Sequence, residues 1–192
     1  MPDMAPLSAL AGAGFAGHSS ATLRIYEEHG YALQHLEGLR SDADFAEFLA
    51  AFGIDALPAT GRSFGNANAA LLGIGPSIWL LVCSPPATCP AAVARAFAAA
   101  IDVSHAFTCI RIAGEKAQEL IAKGCALDLH PRHFPPGACA AAGFADMRVI
   151  LWRAQDDAHF DLFVSRSYAR SLWKWLQDAT EQYAEPTTTT QE

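Results

Sequence analysis

Two adjacent residues, Ser104 and His105, are of the types that serve as nucleophile and general base in covalent catalysis. They open an apolar run that predicts a strand from Ser104 to Ile112, and consecutive side chains on a strand point to opposite faces. The pair is therefore not expected to form a catalytic dyad, and the sequence contains no nucleophile-elbow motif. Cys109 lies on the same predicted strand, where a free thiol is typically an inert core residue. No catalytic residue is predicted.

A second group of candidate ligands lies in the proline-rich stretch DLHPRHFPPG at 128–137. Asp128, His130 and His133 offer oxygen and nitrogen atoms of the kind that bind metals, but such atoms must converge on one point about 2 Å away. The prolines of this stretch prevent the three side chains from sharing a helix face. We therefore expect a solvated loop here, and no metal ligand is predicted.

Three glycines near the start match the G-x-G-x-x-G spacing of dinucleotide-binding loops. They are Gly12, Gly14 and Gly17, and Glu37 lies where an acid would bind the ribose. Such a loop must follow a strand, but only eleven residues precede Gly12 and none of them is β-branched. We expect residues 1–20 to form a flexible N-terminal extension, and no cofactor-binding residue is predicted.

The predicted C-terminal helix covers residues from about 165 to 179. Its apolar side chains fall within a narrow arc, which consists of Tyr168, Leu172, Trp175, Leu176 and Ala179. Trp173 lies about 110° from the centre of this arc, at the edge of the core. Its indole is either a packing residue or an anchor for a partner protein, and the sequence leaves both open. Trp173, with neighbouring Arg170 and Lys174, is therefore the candidate subunit interface.

Three more helices are predicted among the strands. The first starts at the capping pair Ser41 and Asp44 and stops at Gly53. Its buried stripe consists of Phe45, Phe48, Leu49 and Phe52. The second starts at Pro90, and its buried side consists of Val93, Phe97 and Ile101. The third has Gly124 as its C-cap, and its buried side consists of Ala117, Leu120 and Ile121.

Alternating and apolar runs predict strands on both sides of these helices. They are two short runs between Ala21 and Arg40, the pair Asn66–Gly73 and Ser77–Cys83, and the hairpin Arg148–Arg153 and His159–Val164. The sequence therefore predicts an α+β fold with two small subdomains, 21–101 and 102–183, each with an antiparallel sheet. A polar tail at 184–192 is expected to be disordered.

Composition limits the classes of function. The chain has 192 residues and a formal net charge of −7, with 52% hydrophobic and 17% charged residues, so nucleic acid is not an expected partner. The most apolar run, 69–83, is about 15 residues long and contains glycines and a proline, short of the roughly 20 residues that span a membrane. The five cysteines form no C-x-x-C pair, which favours reduced thiols in the cytoplasm.

Several stretches, in chain order, resemble the gamma subunits of heterotetrameric sarcosine oxidases. They are PLSALAG at 6–12, LGIGPSIWLLV at 72–82, DVSH at 102–105, IRIAGEKA at 110–117, KGCALDLHPRHFPPG at 123–137 and SRSYARSLWKWL at 165–176. The last three together are specific, whereas DVSH followed by a strand and Gly114 is shared with the wider folate-binding superfamily of the aminomethyltransferases. The resemblance implies an α+β fold similar to the tetrahydrofolate-binding domain of those enzymes.

The same resemblance bears on catalysis. Aminomethyltransferases carry a Gly-Gly-x-x-Asp-Asp pattern whose aspartate acts on the folate-bound one-carbon group. After Gly137 this chain has ACAAAGFADMR, with the single acid Asp146 and no paired glycines. The resemblance therefore implies a non-catalytic chain that holds no cofactor, docks on the alpha subunit and stabilises it. It implies beta and delta subunits in the same complex, in which the other subunits hold FAD, FMN and NAD.

The assembled enzyme is implied to oxidise sarcosine to glycine and hydrogen peroxide. Its one-carbon product is implied to be formaldehyde, or 5,10-methylenetetrahydrofolate when tetrahydrofolate is used. Two alternatives remain open at this point. The chain is similar to the small subunit of N-methylglutamate dehydrogenases, which is the first alternative. The second is a stand-alone folate-binding protein. In the second case the carboxylate of Asp102 or Asp128 would have to bind the pterin.

Overall fold

The computed structural model describes residues 8–14, 17–39, 46–50, 56–65, 69–83, 96–156 and 159–183. The strands are β1 His18–Ser19, β2 Arg24–Glu28, β3 Ala32–Leu39, β4 Ser63–Gly65, β5 Ala69–Gly75, β6 Ile78–Cys83, β7 Phe97–Asp102, β8 Phe107–Ala113, β9 Cys139–Phe144, β10 Met147–Arg153 and β11 His159–Ser165. The helices are α1 Ala117–Gly124 and α2 Ala169–Thr180, with 3-10 turns at Arg166–Tyr168 and Glu181–Tyr183. Residues 46–50 are also helical.

The strands form two antiparallel sheets. The large sheet has the order β1-β2-β8-β11-β10-β9, and the small sheet has the order β4-β5-β6-β3-β7. Antiparallel sheets together with helices confirm the predicted α+β class. The two sheets do not follow the predicted division at residue 101, because β1 and β2 lie in the large sheet and β2 pairs with β8.

The sheets and helices stack in layers around three apolar clusters. Helices α1 and α2 cover one face of the large sheet, where Leu120 and Leu172 pack in one cluster with Ile110. The opposite face packs on the small sheet, where Phe163 shares a cluster with Leu80. The outer face of the small sheet carries a third cluster around Phe48 of the helical residues 46–50. Strand β6 is apolar on both sides because both of its faces are covered.

Several local predictions are confirmed. The region between Ala21 and Arg40 contains β2 and β3, and the predicted hairpin is β10 paired with β11. The predicted pair at 66–83 is β5 and β6, joined by a turn at residues 76–77. The first predicted helix is present over residues 46–50, where Phe48 is fully buried. The rest of that helix lies outside the described residues, including its capping pair.

The helix predicted from Pro90 to Ile101 is wrong over its last five residues. Phe97–Asp102 is strand β7, which hydrogen-bonds to β3 at the edge of the small sheet. Phe97 is buried edge-on against Phe48 with ring centroids 5.1 Å apart, whereas Ile101 is 54% exposed. Pairing with β3 supplies backbone partners that outweigh the modest helix preference of an alanine run. Residues 84–95 lie outside the described part of the chain.

Strand β9 was not predicted, and β8 begins later than expected. Residues 139–144 are mostly alanine and glycine, which carry no strand signal of their own. They pair with β10 through a two-residue turn at Ala145 and Asp146, both with positive φ, 46° and 64°. Residues 104–106 form a turn, and β8 starts at Phe107.

The N-terminal segment is packed where the structure describes it, which corrects the expected flexible extension. Leu10 is 9% exposed and belongs to the cluster between the large sheet and its helices. The Arg170 guanidinium of α2 donates to the carbonyl oxygens of Ala9, at 3.1 Å, and Ala11, at 2.8 Å. His18 and Ser19 form strand β1. The predicted tail at 184–192 lies outside the described residues.

Gly124 is the last residue of α1 and not the cap, which is Cys125. A Cβ at Gly124 would lie 2.6 Å from the Phe144 ring and 2.9 Å from the Trp175 ring. We expect Gly124→Ala to lower the free energy of unfolding by about 1–3 kcal/mol, because overpacking outweighs the helix preference of alanine. Urea denaturation measures this effect.

Gly143→Ala is the matched control for that change. A Cβ at Gly143 has nothing within 4 Å, so its stability change is expected to stay within about 0.5 kcal/mol. Equal stability of the Gly124→Ala variant and the wild-type chain would show that the two rings move aside at no cost.

Candidate functional site

A cluster of charged and polar side chains lies on the face of the large sheet that points to the small sheet. Arg111 of β8 and Asp161 of β11 are directly opposite in the strand register. The guanidinium donates to both carboxylate oxygens of Asp161, Nε to Oδ1 at 2.7 Å and Nη2 to Oδ2 at 2.9 Å. Its Nη1 lies 2.8 Å from Glu28 of β2, and its Nη2 donates to the Tyr31 hydroxyl. That hydroxyl donates to Asp161 at 3.2 Å.

The charged and polar groups of this cluster affect one another's pKa strongly because they are buried. The Asp161 side chain is completely buried and that of Arg111 is 16% exposed. Burial alone would lower the pKa of Arg111, but hydrogen bonds and charge from Asp161, with Tyr31 and Glu28, raise it. Burial, and then the charge of Asp161, raises the pKa of the Tyr31 phenol far above its usual value. The guanidinium is thus occupied on three sides and ties β2, β8 and β11 together.

Tyr31 lines two clefts. One has a volume of about 360 Å³ and is lined in part by Glu27, Ser104 and His105. The other has a volume of about 460 Å³ and is lined in part by Arg111, Trp152, Gln155 and His159. The polar groups of the second cleft already have partners within the protein. The Trp152 indole N–H donates to Ser63 Oγ at 2.9 Å, and the Gln155 amide donates to the Ser63 carbonyl at 2.7 Å.

His159 makes the stability of the cluster depend on pH. Its Nε2 lies 3.7 Å from Asp161 Oδ2, and burial lowers its pKa while the charge of Asp161 only partly offsets this. The unfolded chain therefore takes up a proton more readily than the folded chain. The stabilising contribution is present above the unfolded pKa of about 6.5 and is lost as the pH falls through the lower folded pKa.

We therefore expect the melting temperature to fall between about pH 7.5 and about pH 5.5, and to fall less in a His159→Gln variant. Differential scanning fluorimetry at several pH values measures this. His133→Gln serves as the control because the His133 side chain is 66% exposed. An identical pH profile for His159→Gln and wild type would contradict the assignment.

Ser104 and His105 lie in the turn between β7 and β8, not on the predicted strand. The Ser104 hydroxyl donates to Asp102 Oδ1 at 2.6 Å and accepts from the Leu33 backbone N–H at 2.9 Å. Hydrogen bonds from the Ser104 side chain and backbone hold the pKa of Asp102 below its usual value. Ser104 and Asp102 thus join this turn to β3, and within the described residues no histidine or lysine hydrogen-bonds to the Ser104 hydroxyl. Cys109 is buried, which raises the pKa of its thiol.

Asp128, His130 and His133 lie in a loop, as predicted. Asp128 Oδ1 accepts from the His130 backbone N–H at 2.9 Å, and its Oδ2 lies 3.9 Å from His133 Nδ1. The two imidazole centroids are 6.5 Å apart. Within the described ranges, no group of three histidine, cysteine or acidic side chains is arranged to hold a metal ion.

The glycine motif has no binding geometry in the described residues. Gly12 and Gly14 have positive φ and open space around them. A Cβ at Gly17 would lie 2.4 Å from the Ile25 carbonyl oxygen, so this glycine permits close packing on β2. Glu37 lies on β3, where its carboxylate is 3.5 Å from His35 Nδ1.

The structure favours packing over anchoring for Trp173. Its side chain is 4% exposed and lies in the same cluster as Leu10. The N-terminal segment, which Arg170 holds through its carbonyl groups, covers this flank of α2. The helical arc alone placed that flank at the edge of the core. Arg170 and Lys174 are exposed, and Lys174 Nζ lies 3.5 Å from Asp178.

The family model described as "Sarcosine oxidase, gamma subunit family" matches residues 40–182 of the chain. The chain belongs to this family. This sarcosine oxidase gamma family member is 27% identical over 183 residues to the sarcosine oxidase subunit gamma of Corynebacterium sp. (strain U-96), with 92% of this chain and 87% of that protein covered. It is also 27% identical over 175 residues to the subunit gamma of an Arthrobacter species, with 88% and 86% covered.

Solved structures share the fold of this gamma family member. A chain of the heterotetrameric sarcosine oxidase from Corynebacterium sp. U-96, in complex with pyrrole 2-carboxylate, superposes with a TM-score of 0.78 at 23% identity, covering 95% of this chain and 99% of that one. The glycine cleavage system aminomethyltransferase T from Bartonella henselae gives a TM-score of 0.58 at 17% identity. That match covers 89% of this chain and 49% of the aminomethyltransferase, and it confirms the predicted relation in fold.

Sequence reasoning missed the Arg111–Asp161 pair of this gamma family member. Both are single charges in the middle of apolar strands, CIRIA and HFDLFV, at positions that alternation assigns to a buried face. A buried charge needs a partner, so two isolated charges of opposite sign were a usable signal. In the described part of the chain, no helix is long and apolar enough to cross a membrane.

Proposed function

We propose that this chain is the non-catalytic gamma subunit of a heterotetrameric sarcosine oxidase, in which it docks directly on the alpha subunit and stabilises it. The beta and delta subunits belong to the same complex. The observation that carries the proposal is the family match over residues 40–182. The named relatives are gamma subunits of nearly the same length, with 86–87% of each covered.

The polar groups of the chain support a structural role. Candidate nucleophile Ser104 is bonded to Asp102 and β3, and Arg111 is saturated by Asp161, Glu28 and Tyr31. These groups stabilise the fold, and few of their hydrogen-bonding positions remain open to a substrate. A small chain that binds only the folded form of a larger one stabilises that form by mass action.

The chemistry of the complex then belongs to its other subunits. In this proposal they hold FAD, FMN and NAD, and the complex converts sarcosine to glycine and hydrogen peroxide. The one-carbon unit leaves as formaldehyde or as 5,10-methylenetetrahydrofolate. The cytoplasm is the proposed location, supported by the four described cysteines, which are all free and buried.

The test is co-expression of the tagged chain with the other three subunits of its host's complex. We expect co-recovery of all four chains, flavin absorbance in the recovered material and peroxide production from sarcosine. Omitting this chain should lower the yield of soluble alpha subunit. Oxidation of N-methylglutamate in place of sarcosine would assign the chain to the related dehydrogenase. Recovery of this chain alone, colourless but with saturable folate binding, would refute the subunit role.

A further inference from the structure

The larger of the two clefts, here called the intersheet cleft, has walls from both sheets. Gly65 of β4, Ala70 of β5 and Val82 of β6 line it from the small sheet. Trp152 and His159 line it from the large sheet. Because the side chains on the small-sheet wall are small, a volume of about 460 Å³ stays open between the walls. This volume lies within the range of roughly 300–1,000 Å³ that is typical of clefts that bind small molecules.

Strand register places the side chains of the large-sheet wall on one face. Trp152 of β10 and Arg111 of β8 are both directly opposite Asp161 of β11. His159 lies two residues before Asp161 on β11, so its side chain shares that face. The Trp152 indole is fixed because its N–H donates to Ser63 Oγ at 2.9 Å. The aromatic face in this wall is therefore held in position before a ligand binds, which lowers the entropic cost of binding.

His159 differs from Trp152 and Gln155, because its ring nitrogens have no hydrogen-bond partner in the described part of the chain. Its side chain is 18% exposed, and its Nε2 lies 3.7 Å from Asp161 Oδ2, which is too long for a hydrogen bond. Burial lowers the pKa of the imidazole, so the ring is neutral at neutral pH, with one nitrogen as donor and the other as acceptor. A ligand that reaches this ring gains a hydrogen bond that the described residues do not supply.

The charges around the intersheet cleft oppose a charged ligand of either sign. The Arg111 guanidinium lies in the wall, which disfavours a cation. Asp161 and Glu28 bind this guanidinium, and Asp156 also lines the cleft. Three carboxylates thus surround one guanidinium, which disfavours an anion. A charged ligand would also lose hydration against the apolar part of the wall, so an uncharged ligand fits best.

We propose that the intersheet cleft binds a small, uncharged aromatic compound whose ring packs on the Trp152 indole and whose polar group hydrogen-bonds to His159. In the strand register Trp152 is a diagonal neighbour of His159, a pairing that spans about 7–8 Å in sheets and that a substituted benzene ring bridges. Aromatic rings pack favourably on one another. A neutral imidazole pairs with either an N–H or a C=O group, and an amide offers both. This site is additional to the proposed subunit role, and neither depends on the other.

Three probes of the same shape test the site on the purified full-length chain. At neutral pH benzamide is uncharged, benzoate is an anion and benzamidine is a cation, and isothermal titration calorimetry gives the dissociation constant of each. Binding is compared for wild type, His159→Ala and His159→Gln. His133→Ala is the matched control, because the His133 side chain is 66% exposed and does not line the cleft. The melting temperature shows that each variant is folded, and His159→Gln decides if His159→Ala does not fold.

We expect benzamide to bind wild type with a dissociation constant of about 1 mM or below, and each charged probe to bind at least about tenfold more weakly. His159→Ala should weaken benzamide binding about fivefold or more, His159→Gln should weaken it less, and His133→Ala should change it less than about twofold. Tighter binding of benzoate or benzamidine would overturn the uncharged ligand class. Absence of benzamide binding to folded wild type, or equal binding to wild type and the folded His159 variants, would overturn the site.

Discussion

Replacing Asp161 with asparagine is expected to lower the free energy of unfolding by about 3–5 kcal/mol. The change removes a fully buried carboxylate that receives two hydrogen bonds from Arg111 and one from Tyr31. The guanidinium would remain in place with only Glu28 to balance its charge. Urea denaturation of the purified chain, followed by tryptophan fluorescence, measures the loss.

Asp178→Asn is the control for this change. Asp178 is also an aspartate with a basic partner, but its side chain is 60% exposed and lies 3.5 Å from Lys174. Its loss should alter stability by no more than about 0.5 kcal/mol. The double variant Arg111→Met, Asp161→Leu removes both buried charges and should be more stable than Asp161→Asn alone. A stable Asp161→Asn variant would show that water reaches the guanidinium.

Trp173→Ala is expected to lower the free energy of unfolding by about 3–5 kcal/mol, since it opens a cavity among Leu10, Leu172 and the strands of the large sheet. The melting temperature of the purified chain measures the effect. Lys174→Ala, at the next position on the exposed side of α2, should leave the melting temperature nearly unchanged. An unchanged melting temperature for Trp173→Ala with loss of assembly would instead make the indole an anchor.

The burial of Trp173 could not be predicted from the sequence, although the burial of its neighbours on α2 could. The helical arc correctly identified Leu172 and Leu176 as buried, because residues on one helix share a face at a fixed period. It placed Trp173 at the edge because the arc contains no information about Leu10, which covers that flank from the other end of the chain. The side chain at the edge of a helix becomes core or surface according to what packs beside it.

The alanine-rich segment at 97–102 shows the same limit for secondary structure. Phe97 and Ile101 are four residues apart, a spacing that shares one face of a helix and also one face of a strand, and the small side chains between them favour neither structure strongly. Hydrogen bonding to β3 stabilises the strand conformation of this segment. Strand β9 is likewise set by β10 and by the turn between them.

The amino-acid sequence by itself determined the family, the α+β class, the β10–β11 hairpin and the C-terminal helix, because motifs, turns and helical periodicity are local in the chain. Only the tertiary structure decided which charges meet. Arg111 and Asp161 are 50 residues apart, Tyr31 and Asp161 are 130 apart, and Arg170 lies 161 residues from Ala9. Such pairs depend on how the strands are ordered within the sheets and on what covers α2. That order follows from the burial of many apolar side chains at once, which no single stretch of sequence specifies.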